Sequence, residues 1–215
     1  MQTRHKRARG RAPRATHVIP TAEAEDRVMD GWRLYGYDAG WNDPRVILEI
    51  GKTPAEQLVV LDKYYERESH VEDALAWLTD NEKPSGTIYC DHEPEHVAKF
   101  RRADFQARNA TKDLDAGIAK VRKRLEADGN RPVTDATPHV GAWGWEYARG
   151  PPVEHDLEHR VGLVIAQRCE HVVREFLSYK TEHVGTAAAE DHRLDALRYA
   201  CMGVASDGNV TQLTW

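Results

Sequence analysis

Short β-branched and aromatic runs alternate with helical stripes along most of this 215-residue chain. Residues 32–37, 45–50 and 57–65 read as three successive strands, the last built around Leu58-Val59-Val60-Leu61. A short helical lead-in at Ala22 to Met29 precedes them. Beyond them, Val71, Ala74, Leu75 and Leu78 recur at helical spacing. A strand at 86–90 comes next, then a helix at 94–102 whose first turn suits Pro94, then a short segment from Phe105 to Asn109. Leu114, Ile118, Val121 and Leu125 mark an amphipathic helix closed by Gly129. A strand from Val161 to Ala166 follows, then a helix marked by Val172, Val173, Phe176 and Leu177. In the last helix Leu194, Leu197, Cys201 and Val204 would face a core. Three strands followed by alternating helices and strands predict an α/β fold, a mixed β-sheet flanked by helices on both faces.

Length supports one domain with a real core. No apolar run approaches the roughly 20 residues of a membrane span, and no apolar stretch follows the basic N-terminus, so neither a membrane segment nor a secretory signal is expected. Cys90, Cys169 and Cys201 are odd in number, far apart and set among apolar residues, which predicts reduced core thiols in a cytosolic protein. The net charge of −5 conceals an asymmetry: Arg4, Lys6, Arg7, Arg9, Arg11 and Arg14 stand in the first 20 residues with no Asp or Glu among them. Such an arm suits phosphates, or is a solvated tail.

The acidic groups fall where sheet chemistry puts them to use. The run Trp32 to Asp38 is a strand that closes on an aspartate before the turn at Asn42-Asp43-Pro44. Thr87 to Asp91 closes in the same way. In the last helix Asp191, His192 and Asp195 lie three or four apart, on the face beside the apolar stripe. Two strand-end carboxylates and one helix-borne carboxylate would cluster at a sheet edge. Carboxylates so gathered repel one another and raise each other's pKa unless a cation joins them. The plainer alternatives stay open: Asp195 paired with Arg198 on a solvated face, Asp43 as a turn former beside Pro44, Asp91 favouring the start of the 94–102 helix.

On these residues the chain resembles the nuclease domain of the large terminase subunit of tailed bacteriophages, which is RNase H-like. The matching pieces are Gly36-Tyr37-Asp38-Ala39-Gly40 with Asp43-Pro44, the strand closing on Cys90-Asp91, and Lys112 with Gly117-Ile118. Cys169 to Tyr179 and the Asp191-His192-x-x-Asp195-Ala196-Leu197-Arg198-Tyr199 signature complete them, so the resemblance covers roughly residues 30 to 204. It implies a basic arm and lead-in at 1–29, a nuclease domain at 30–206 and a tail at 207–215. It also implies a two-metal endonuclease using Mg²⁺ or Mn²⁺, with Asp38 bridging both ions, Asp91 on one and Asp195 on the other. His192 would bind metal or move a proton. Asp191, Asp43 and Glu93 are weaker candidates around the ions, and Lys112, Arg149 and Arg160 are candidate DNA contacts.

The resemblance further implies double-stranded concatemeric viral DNA as substrate in the host cytoplasm. An ATPase motor, a small terminase subunit and a portal would be partners. Two other readings stand beside it: an RNase H-like junction resolvase or recombination nuclease, and a catalytically silent assembly module. Gly51-Lys52-Thr53 is no phosphate-binding loop, because Val46 stands where that motif needs a glycine. The chain therefore departs from the motor-plus-nuclease pattern of the family. Residues 131–159, with Trp143, Trp145, Tyr147 and a His155-Asp156-x-Glu158-His159 cluster, read as a hairpin burying its tryptophans or as a flap beside nucleic acid.

Overall fold

A computed structural model describes residues 17–91, 93–126, 161–179 and 191–207. Seven strands among these residues form one sheet: β1 (Val18–Ile19), β2 (Arg33–Asp38), β3 (Arg45–Lys52), β4 (Leu58–Glu66), β5 (Thr87–Cys90), β6 (Gln106–Asn109) and β7 (Leu163–Ala166). The α-helices among the described residues are α1 (Thr21–Arg27), α2 (Val71–Asp80), α3 (Pro94–Arg102), α4 (Leu114–Arg124), α5 (Glu170–Ser178) and α6 (His192–Asp207). The sheet order is β1-β7-β4-β3-β2-β5-β6. β3 runs antiparallel to β2 and β4, while β2–β5, β5–β6, β4–β7 and β1–β7 are parallel pairs. The expected mixed sheet is therefore present, and just before the helical lead-in the chain also supplies the edge strand β1.

Local chemistry accounts for the element boundaries. In α2, the His70 carbonyl accepts from the Asp73 amide at 3.2 Å, while the His70 N–H donates to the Asp73 carboxylate at 2.7 Å. The Asp73 carboxylate thereby ties off a donor that the helix cannot satisfy itself. Pro94 opens α3, where its missing N–H is harmless. Asp113 caps α4 by accepting from the Ala116 amide at 2.9 Å.

The buried apolar residues form three clusters, two of which cover opposite faces of the middle of the sheet. On one, Val121, Val172, Val173, Leu194, Leu197 and Cys201 from α4, α5 and α6, with Leu125 just after α4, pack onto Leu34, Leu48 and Val60. On the other, Val71, Ala74 and Leu78 from α2 and Val97 and Phe100 from α3 cover Tyr35, Tyr37, Ile47 and Ile88. The expected stripe of α5 needs one correction. Val172 and Val173 are buried, but Leu177 is 65% exposed, because its place near the end of this nine-residue helix turns it to the outer side. Cys90, Cys169 and Cys201 are free and buried, as their apolar settings predict. Among the described residues no helix is long and apolar enough to cross a membrane.

Candidate functional site

β2 and β5 run parallel with Tyr37 opposite Cys90, so the next residues, Asp38 and Asp91, stand side by side at the ends of the two strands. The Asp91 N–H donates to the Tyr37 carbonyl at 3.0 Å, which extends the pairing to the aspartate itself. The two backbones are thus about one strand spacing apart, roughly 4.8 Å. Two strand ends remote in sequence make a single sheet edge.

Glycines bring the third carboxylate to that edge. A Cβ on Gly36 would stand 1.8 Å from the Ala196 carbonyl oxygen, so α6 rests directly on the β2 backbone. Gly203 accommodates the Tyr89 ring and Gly117 of α4 accommodates the Arg198 side chain, fixing α6 at two further points. Asp195 immediately precedes Ala196, at the point where the helix meets β2. Its charge, with that of Asp91, acts on Asp38. The buried Tyr199 phenol is pushed up first by desolvation and then by Asp195, Asp38 and Asp91. Two separate groups thus feel the field of this acidic edge.

Each of the three carboxylates leans on a basic group of its own. His192 Nδ1 lies 3.3 Å from Asp38 Oδ2. Arg198 donates from Nε and Nη2 to Asp195 Oδ1, at 3.1 and 2.9 Å. Lys112 Nζ is ion-paired with Asp91. Asp195 therefore does pair with Arg198, as the plainer alternative held, yet the face is not solvated: Arg198 is buried, as are Leu194, Ala196, Leu197 and Tyr199 around it. Burial pushes the Asp38 carboxyl up to about 6, the His192 contact pulls it back, and the neighbouring aspartates add to the rise. The hydrogen bond to Asp38 raises His192, against the effect of burial. Asp191 is raised by burial and then by Asp195.

The remaining expected residues fall around this centre. Asp43 is largely exposed with Oδ1 3.8 Å from His192 Nε2, so it joins the site through the histidine as well as shaping the turn. Asp191 sits before α6, its carbonyl accepting from the Asp195 amide at 2.8 Å. Glu93 is exposed at the start of α3 and meets Asp91 through its backbone, donating to the Asp91 carbonyl at 2.7 Å. Arg149 and Arg160, the 131–159 segment and the basic residues 4–14 lie outside the described residues.

Glu175 of α5 is a site-building residue that sequence reasoning missed. Its Oε2 accepts from the backbone amides of Arg193 at 2.9 Å and Leu194 at 3.3 Å, and its Oε1 pairs with the Arg193 guanidinium. That guanidinium lies 3.5 Å from the centroid of the Tyr65 ring. A carboxylate at a helix start satisfies donors the helix leaves over and favours its positive end. Here it does so from a neighbouring helix. Burial pushes Glu175 up to about 7 despite Arg193. No motif flags such a residue; its only signal is a glutamate one turn on from Val172 and Val173.

The donor set, carboxylates with one imidazole, is the chemistry that hard divalent cations such as Mg²⁺ and Mn²⁺ prefer. Among the described residues no three His, Cys, Asp or Glu side chains close around one point. Each of the three carboxylates is instead paired with a basic side chain.

No protein-family model matches the chain, and no curated protein sequence matches it. Solved structures do. The nuclease domain of the bacteriophage P22 large terminase superposes with a TM-score of 0.62 at 17% identity, over 91% of each chain. The nuclease domain of the bacteriophage SPP1 large terminase, solved with bound Mn, gives 0.51 at 16% identity, over 88% of this chain and 97% of that one. The large terminase of a thermophilic bacteriophage gives 0.56 at 17% identity. That match covers 88% of this chain but only 42% of the thermophilic phage protein. The mixed seven-stranded sheet and the helices of the described residues share the fold of these terminase domains.

Proposed function

We propose that this chain is the nuclease of a phage genome-packaging terminase, a metal-dependent endonuclease that cuts concatemeric double-stranded DNA. One observation carries the reading. Asp38 and Asp91 stand side by side on neighbouring parallel strands, and α6 rests on Gly36 so that Asp195 acts on the same point. The shared fold and the Mn held by the SPP1 domain support it.

In this reading Asp38, Asp91 and Asp195 would hold the divalent ions, Mg²⁺ or Mn²⁺, and His192 would serve as a further ligand or proton carrier. Bound ions supply an activated water and charge stabilisation at the leaving oxygen. The chain's own residues prepare the rest. Burial concentrates the field of the carboxylates, and Arg198, fixed over Gly117, keeps Asp195 oriented. His192, with Asp38 at one ring nitrogen and Asp43 near the other, would carry a proton at Nε2. An ATPase motor, a small terminase subunit and a portal are the partners this role requires, and the host cytoplasm its setting.

The test is cleavage of linear duplex and plasmid DNA with Mn²⁺, with Mg²⁺ and with chelator. Cleavage by wild type and none by Asp38→Asn or in chelator is expected. Metal-independent cutting defeats the reading, and strong preference for four-way DNA redirects it to a junction resolvase.

A further inference from the structure

The three basic partners differ in how firmly they are held. Arg198 is buried, lies over Gly117 and donates twice to Asp195. His192 is half-buried at the start of α6, with Asp38 on one nitrogen and Asp43 near the other. Lys112 stands just before α4, its side chain 45% exposed, and reaches Asp91 by its flexible stem. A lysine ammonium is a compact charge on a flexible four-carbon stem and is easily relocated.

We infer that Lys112 is a displaceable internal counter-ion. It neutralises Asp91 until a divalent cation takes its place, and its ammonium then moves to the phosphate backbone. The inference rests on the reading of Asp91 as a metal ligand and adds a competitor for that ligand. An ammonium held on Asp91 is repelled by a divalent ion arriving there, since like charges a few ångströms apart repel by kilocalories at protein-like dielectric, and its flexible stem lets it leave. A dication outcompetes a single mobile ammonium, and the freed ammonium is left beside the ion-filled site where a phosphate must approach. Arg198 has no such freedom and stays with Asp195. Metal loading and DNA engagement are thereby coupled: the ammonium becomes available to phosphate only once Asp91 no longer needs it.

The experiment measures Mn²⁺ binding to the full chain by calorimetry at pH 7.5 and low salt, without DNA. Wild type is compared with Lys112→Met, which keeps the stem and removes the charge, and with Lys112→Arg. Lys112→Met is expected to bind Mn²⁺ roughly tenfold more tightly, and Lys112→Arg to stay near wild type. In Ca²⁺, Lys112→Met should bind duplex DNA more weakly, with a salt slope shallower by about 0.9. Unchanged or weaker Mn²⁺ binding by Lys112→Met overturns the inference and leaves the nuclease reading intact. No Mn²⁺ binding by wild type overturns both.

Discussion

The backbone carbonyl of Ala196 in α6 sits where a side chain on Gly36 of β2 would have to be. This contact sets the height of the last helix above the sheet, and so the distance from Asp195 and His192 to Asp38, two residues beyond Gly36. Gly36→Ala cannot be absorbed by rotating a side chain, because the obstruction is backbone. It is expected to cost about 3 kcal/mol of stability and to reduce cleavage far beyond the loss of folded protein. Denaturant melts and cleavage per folded molecule check it. A variant with wild-type stability and rate means that α6 is not fixed by this contact.

Asp38 links function to pH. Its folded carboxyl titrates at about 6, against an ordinary 3.8. Between those values the native state holds a proton that the unfolded chain has released. The resulting stability is complete below about pH 4 and is lost as pH rises through 6. His192 acts in the same direction, since its raised folded pKa gives stability that is lost as pH climbs through that value. Asp38→Asn cannot ionise. It should be more stable than wild type in chelator at pH 7.5, by about 3 kcal/mol, while cleaving nothing. At pH 4 the gap should close. Thermal melts at both pH values decide it, and a variant less stable than wild type at pH 7.5 refutes the assignment.

Glu175 holds the first turn of α6 through two backbone amides and the Arg193 guanidinium. Glu175→Ala leaves Arg193 buried without its carboxylate, which costs about 3 kcal/mol, and frees the segment carrying His192. Glu175→Gln still accepts from the amides and should retain more activity and more protection. Hydrogen exchange at Arg193 and Leu194 is the discriminating measurement: faster exchange in Glu175→Ala than in Glu175→Gln is expected. Equal rates place the cap elsewhere.

His192 and Asp195 divide their labour unequally in the proposed mechanism. His192→Ala should slow cleavage by about 10- to 100-fold, as loss of a residue that orients a ligand does. Asp195→Ala should be slower still at saturating Mn²⁺. The reverse order would reassign the second ion to His192.

Much of the acidic edge is legible in the chain itself. Asp38 and Asp91 each end an apolar strand, and Asp195 lies beside a helical stripe, so period and punctuation alone locate the acids. What chain order does not disclose is adjacency. That Tyr37 pairs with Cys90 depends on a parallel register reached after α2 crosses the sheet. β1, two residues long beside a basic arm, is too short to show a period. Glu175 stays hidden because a carboxylate that caps another helix leaves no local pattern. Leu177 misleads because its apolar character suits a core from which its place on the turn excludes it.

The three thiols have a use of their own. Cys90 immediately precedes Asp91, Cys169 follows β7, and Cys201 lies on α6, so each reports on a different support of the acidic edge. Burial pushes Cys90 and Cys169 up to about 12 and Cys201 up to about 11, which leaves almost no thiolate at neutral pH. The native protein is thus inert to alkylating reagents at these positions. Any label that appears there times the opening of one structural support, and the chain comes equipped with three built-in clocks.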